Sequence, residues 1–216
     1  MFKLLWEKKI AIIVAVLLVV LLPIAMTKES IVLSKTIVTA VGIEKTHDGK
    51  YTVYTEVIIF NFDPFGVQER EIHQSTAQTI DEALIEIGVN RGKTISLSHC
   101  TIITLDHSLK DENLMELLDV FLQRNDLNNS AVLFWTTSGV EKLMEASIER
   151  GDARAGLLQQ IAAFNRNRDG FTSTNLELFF KDMLRNQKAK IPLVEVDKEG
   201  QLINVDDFRW IYRTKH

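Results

Sequence analysis

The strongest constraint on this chain lies at its start. Residues 10–26 carry no charge and include Ile10, Ile12, Ile13, Val14, Val16, Leu17, Leu18, Val19, Val20, Leu21 and Leu22. As a helix these 17 residues span about 26 Å, near the lower limit for crossing a hydrocarbon core of about 30 Å. No face of the run is polar, which sets it apart from the core helices of soluble domains. Lys3, Lys8 and Lys9 precede it against only Glu7, whereas Lys28 and Glu29 cancel on the far side. The positive-inside rule therefore predicts a short cytoplasmic N-terminus over residues 1–9, a transmembrane signal anchor over 10–26, and a single extracytoplasmic domain over 27–216. A cleaved signal peptide is the competing reading. Its apolar region is usually shorter, and Ala25-Met26-Thr27 matches a cleavage site poorly.

The 190 residues after Met26 carry 22 basic and 28 acidic side chains, a net −6. That balance argues against nucleic acid and against overall attraction to an anionic membrane. A single cysteine excludes an internal disulfide framework and multi-cysteine zinc sites. With ten glycines, three prolines and no Ser/Pro/Gly-rich linker, the exported part reads as one domain.

Residues 36–45 and 50–60 are rich in Val, Ile, Thr and Tyr and flank Thr46-His47-Asp48-Gly49, a strong hairpin turn. A loop at 61–66 and a third strand at 69–77 follow. Thr79-Ile80-Asp81-Glu82 is a capping box opening a helix that Gly88 or Gly92 ends. The pattern then predicts a strand over 94–105, a helix over 110–124 and a short central strand over 130–137. Ser138-Gly139-Val140-Glu141 reads as a second capping box, Asp152 as the cap of another helix, and Thr174-Asn175-Leu176-Glu177 as a third box. Strand pieces at 191–196, 202–205 and 208–212 close the chain. The expected class is α+β: a mixed β-sheet with packed helices and terminal β-hairpins.

Motifs for chemistry are sparse. Gly88-Val89-Asn90-Arg91-Gly92-Lys93 is too short for a phosphate loop and leaves a helix rather than entering one. No serine sits between glycines as in a nucleophile elbow. None of His47, His73, His99, His107 and His216 has a partner at zinc spacing. On a strand, His99 and Cys100 would point to opposite faces and could not chelate together; a meeting of His99 with His73 across the sheet is the minority alternative to an ordinary hydrogen-bonded sheet histidine. A bound metal would be sought first at His73, His99 and Cys100. Cys100 itself reads as a small buried side chain. Asp81, Glu82, Asp111, Glu112, Glu116 and Asp119 fit helix starts and solvent faces. Arg150, Arg154, Arg166 and Arg168 read as a solvated helical face, with an anion or partner site as the minority alternative. No catalytic, cofactor-binding or metal-binding residue is assigned.

Several strings occur in the order found in one family. Ile37-Val38-Thr39-Ala40-Val41-Gly42-Ile43-Glu44, then Asp48-Gly49-Lys50-Tyr51, is similar to an opening hairpin with a Val-Thr-Ala-Ile-Gly-Ile-Asp string and an Asp-Gly-Lys-Tyr turn. Residues 79–84, then Gly92-Lys93 with Leu97-Ser98-His99 and Ile102-Ile103, match its next helix and strand. Phe121-Leu122-Gln123-Arg124-Asn125-Asp126 before Val132-Leu133-Phe134-Trp135, and residues 176–184 before Ile191-Pro192-Leu193-Val194, complete the series. Over residues 36–213 the chain resembles the germinant-receptor C-subunit family of spore-forming bacteria, the Ger(x)C-type proteins, in its N-terminal domain.

Two departures stand out. Members of that family are typically lipoproteins with a cysteine directly after the apolar signal, and usually continue into further domains. Here Met26-Thr27-Lys28 occupies the cysteine's place, so the apolar run itself must anchor.

The resemblance implies a membrane-anchored, non-enzymatic accessory subunit in the cell membrane or spore inner membrane. It would work with two integral-membrane receptor subunits, one transporter-like, in sensing germinants such as amino acids or sugars. An extracytoplasmic sensor or scaffold unrelated to germination is the alternative; a membrane-tethered hydrolase has only the export signal behind it. Read physically, Gly42 suits a close backbone approach, Arg124 is a carboxylate partner and Pro192 a strand-entry residue. The hairpin follows the anchor after about ten residues, which reach at most about 35 Å, and is the expected first contact with a membrane partner.

The topology is directly testable. Protease added to wall-stripped, intact cells should degrade a tag at the C-terminus; a tag that survives until lysis reverses the orientation.

Overall fold

The computed structural model describes residues 35–59, 69–150, 156–166, 174–199 and 202–212. The expected anchor at 10–26, the loop at 61–66 and the Asp152 cap lie outside the described residues, as do the side chains of the 150–168 arginine cluster. Among the described residues no helix is long and apolar enough to cross a membrane.

β1 (Lys35–Lys45), β2 (Tyr51–Ile59) and β3 (Glu69–Ala77) form an antiparallel meander. The expected hairpin turn is present: Gly49 has φ +83°, and its N–H donates to Thr46 O at 3.1 Å. Only glycine adopts that backbone at little cost. β5 (Ile102–Asp106), β6 (Val132–Thr136) and β7 (Lys188–Val196) add in parallel beyond β1, and β8 (Leu202–Tyr212) returns antiparallel to β7. The order is β3-β2-β1-β5-β6-β7-β8, with β4 (Thr94–Ser96) paired to β1 off this path.

α1 (Ile80–Asn90), α2 (Leu114–Gln123) and α5 (Leu176–Asn186) pack on one face of the sheet, α3 (Val140–Arg150) and α4 (Leu157–Arg166) on the other. All five residues of β6 are buried, as its near-continuous apolar sequence requires. This is the expected α+β mixed sheet with packed helices.

α1 starts as the sequence implies. Thr79 Oγ1 accepts from Glu82 N–H while Glu82 returns to the Thr79 amide, so both halves of the capping box are made. It ends on Gly92 at φ +62°, with Gly92 N–H on Val89 O and Lys93 N–H on Gly88 O, a Schellman closure. The Gly88–Lys93 stretch is thus a helix stop.

Several boundaries differ from expectation. The strand predicted over 94–105 is broken. Asp126 accepts the Leu97 N–H at 3.0 Å and Cys100 N–H bonds Leu97 O at 2.9 Å, bending 97–100 into a turn. His99 and Cys100 are therefore not strand neighbours: His99 is exposed and Cys100 buried. α2 begins at Leu114 rather than 110, because Asn113 caps it through the Met115 N–H. Ser138 does not cap α3; its hydroxyl donates to Glu195 on β7 and accepts from Val196 N–H at 2.9 Å. Thr174 is likewise drawn off, donating to Lys190 O, and Asn175 caps α5 through Leu178 N–H at 2.8 Å. The strand pieces at 202–205 and 208–212 are one strand, and its pairing shifts between Pro192 and Val194. Pro192 sits mid-strand at that irregularity, where its missing N–H is tolerated, and not at strand entry.

Gly42 has the role expected of it. A Cβ there would meet Val140 Cγ1 at 2.0 Å and Met144 Sδ at 2.9 Å, so α3 rests directly on the β1 backbone. Gly42→Ala should therefore destabilise the fold by about 2–3 kcal/mol through overpacking. Adding Val140→Ala should recover part of the loss in urea unfolding; equal and additive losses from the two changes would disprove the contact.

Candidate functional site

The end of the sheet carrying the β1–β2 turn gathers most of the described polar chemistry. It is also where the parallel strands β1 and β5 end, the edge at which sheets with helices on both faces commonly bind ligands. On the α1–α2 side a groove of about 280 Å³ is lined by Tyr51, Ile80, Asp81, Glu112, Leu117 and Val120 among others. Its floor is apolar and its rim acidic.

The rim is held by charge pairs. Lys45 at the end of β1 pairs with Glu112, and Tyr51 OH donates to the same carboxylate at 2.9 Å. The Lys45 ammonium, then the Tyr51 hydroxyl, outweigh burial and hold the Glu112 carboxyl below its usual range; burial and Glu112 push the Tyr51 phenol up. Arg124 bridges two elements, reaching Asp81 on α1 at 3.0 Å and Asp126 at 3.1 Å. It is the carboxylate partner the sequence suggests. Burial opposes ionisation of Asp126, but the Leu97 N–H and Arg124 together keep its carboxyl low.

On the α3 side of the same end, Tyr54 OH donates to Glu44 at 2.7 Å. Burial raises the Glu44 carboxyl, with Asp106 and Glu141 adding to the rise; burial also raises the Tyr54 phenol. Two tyrosine–glutamate pairs thus stand back to back through the sheet, one ionised more easily than usual and one less.

Further along β2 lies a fully buried carboxylate. Glu56 is 0% exposed and pairs with Arg70 of β3, whose side chain is 6% exposed. Thr39 Oγ1 donates to Glu56 Oε1 at 2.8 Å and Gln159 Nε2 approaches it at 3.4 Å. Removing one member of such a pair strands a charge in the core and costs about 3–5 kcal/mol. The pair ties the edge strand β3 to β2, β1 and α4. Sequence reasoning missed it. The one local signal was parity: Glu56 shares a strand face with Tyr54 and Ile58.

The four described histidines do not assemble. His47 is exposed in the hairpin turn, His99 in the β4–β5 turn and His107 after β5. His73 on β3 lies 3.0 Å from Glu71 and against Arg91 at the end of α1. Cys100 Sγ donates to Ile102 O at 3.3 Å, and burial pushes its thiol up to about 12, so it is an inert core group. Among the described residues no three His, Cys, Asp or Glu side chains converge as a metal site. The arrangement offers paired charges around a groove, suited to recognition.

A family model for the spore germination protein N-terminal domain matches residues 31–196. The chain belongs to that family. The match runs from just before β1 to the end of β7, and covers Gly42, Arg124 and the buried Glu56–Arg70 pair. It supports a germinant-receptor C-subunit-like domain, the family that the sequence strings resemble. No curated protein and no solved structure matches the chain.

The two tyrosine–glutamate pairs of this spore germination domain should respond oppositely to pH. Glu112 is held low, so its stabilisation is complete above about pH 5 and is lost as pH falls through its folded value. Glu44 is raised, so ionising it costs stability as pH rises from about 4. Glu112→Gln should lower stability by about 0.5–1 kcal/mol at pH 7, and this loss should shrink as pH falls toward 3. Glu44→Gln should gain on wild type over the same rise. Parallel curves for both variants in urea unfolding from pH 3 to 7 would refute the assignment.

Proposed function

We propose that this chain is an outward-facing, membrane-tethered, non-enzymatic subunit of a spore germinant receptor, working beside integral-membrane partners, one of them transporter-like, in nutrient sensing. The observation that carries the proposal is the family match, which spans the folded domain from residue 31 onward, directly after the expected anchor. The chemistry fits the reading. The described carboxylates around the groove are engaged in pairs, as in a surface that recognises, and Cys100 is buried away from solvent.

Tethering supports it as well. Confinement to one membrane raises the effective concentration of subunit and partner, so a modest interface suffices. The β1–β2 turn and its groove are the part of the domain offered to a partner: His47, Asp48 and Gly49 are exposed there.

A photo-crosslinker at Lys50, in native membranes of the source cells, should capture a polytopic membrane protein of transporter type encoded beside this chain's gene. Capture of this chain alone, or of soluble secreted proteins alone, would instead favour a free-standing extracytoplasmic sensor.

A further inference from the structure

We propose that the β7–β8 edge of the sheet is a membrane-facing surface whose lysine–aromatic ladder binds the anionic headgroups of a phospholipid bilayer. The two strands pair Lys188 with Tyr212, Lys190 with Trp210 and Pro192 with Phe208. Alternation along the strands places Lys188, Lys190, Phe208, Trp210 and Tyr212 on one face. Ala189, Ile191 and Ile211 on the opposite face belong to the core.

The ladder is open to solvent. Tyr212 is 67% exposed and Trp210 42%. Lys188 Nζ lies 5.0 Å from the Trp210 ring centroid, and Lys190 Nζ lies 4.7 Å from Trp210 and 5.2 Å from Phe208. Neither lysine has a carboxylate partner among the described residues, unlike Lys45 and Lys50, which are paired. Amphipathic Trp and Tyr rings settle at headgroup depth, and lysine stems lie along apolar surface while their ammonium groups reach phosphate. Each lysine near an anionic surface strengthens binding about fivefold. The net −6 of the exported part does not oppose this, because charges beyond about 10 Å are screened and the ladder acts locally.

Composition and the reach of the chain favour a bilayer over a protein as the occupant. Trp135 pairs with Leu193, so three residues back Lys190 stands level with Val132, which is level with Ile102 and Ala40. The ladder thus spans the level of Val38 to Gly42, midway along β1, on the far edge of the sheet from the β1–β2–β3 meander. Between the expected anchor and Lys35 lie eight residues, 27–34, with a reach of at most about 29 Å. Only for this proximity does the inference rest on the tethered reading. Ladder and groove then divide the work, the one on lipid and the other toward a partner subunit.

The test uses the full chain in vesicles of phosphatidylcholine, with or without one quarter phosphatidylglycerol, and p-benzoylphenylalanine at position 212 or 48. Irradiation should give a phospholipid adduct at 212 in the anionic vesicles. Its yield should fall about tenfold in zwitterionic vesicles, in about 0.5 M salt, and in Lys188→Gln/Lys190→Gln. Position 48 should stay at background. Equal yields at 212 and 48, or no lipid adduct at 212 while the chain resists alkaline extraction, would overturn the proposal. Alkaline release of the chain would defeat the anchor alone. An anion-dependent adduct at 212 would then still support the ladder, and its absence would still refute it.

Discussion

Everything in this domain follows from the burial of three neighbouring parallel strands on both faces. β1, β5 and β6 have almost no residue open to water along their paired lengths, and Thr104 and Thr136 are buried with their apolar neighbours. A sheet of that kind is stable only if helices cover both sides. α1, α2 and α5 supply one cover, α3 and α4 the other. The second cover is thin, and it closes because Gly42 lets Val140 and Met144 come down onto the β1 backbone. Any side chain at that position would lift α3 and open the layer that contains Tyr54, Phe134 and Leu158.

The same burial sends polar function to the rims. Glu44, Lys45 and Asp106 lie at strand ends, and Arg124 works from the loop after α2. Glu56 is the exception, a charge inside the layered part, and it is tolerated because Arg70, Thr39 and Gln159 converge on it. A buried pair of this type contributes little net stability over an apolar substitute. What it does is fix register: a one-residue slip of β3 would carry Arg70 to the other face and leave Glu56 unpaired.

What was legible in the sequence is what short-range chemistry decides. Asp48-Gly49 makes its turn, Thr79 and Glu82 make their capping box, and β3 has the predicted bounds, because each depends on residues within a few positions. What was not legible depends on partners far along the chain. Asp126 breaks the strand at Leu97 from 29 positions away. Ser138 and Thr174 look like caps but are claimed by β7 across 58 and 16 positions, which passes capping to Gly139 and Asn175. β8 reads as two pieces because its unity comes from pairing with β7, not from its own alternation. The groove was illegible for the same reason: Tyr51, Asp81 and Glu112 are brought together only when α1 and α2 pack side by side.

Several residues within the span matched by the germination family hold the layers together. Gly42 seats α3, Arg124 joins α1 to the turn before β5 through Asp81 and Asp126, and Trp135 carries the Arg209 guanidinium over its ring at 5.2 Å. The family match covers the scaffold, and a scaffold hosts different recognition surfaces without changing its core. Ligand and partner choice must therefore be written in the rims. In this chain those are an acidic groove at the turn end and a cationic, aromatic face on β7 and β8. Two surfaces of unlike chemistry on one sheet can take unlike partners, each without disturbing the buried strands between them.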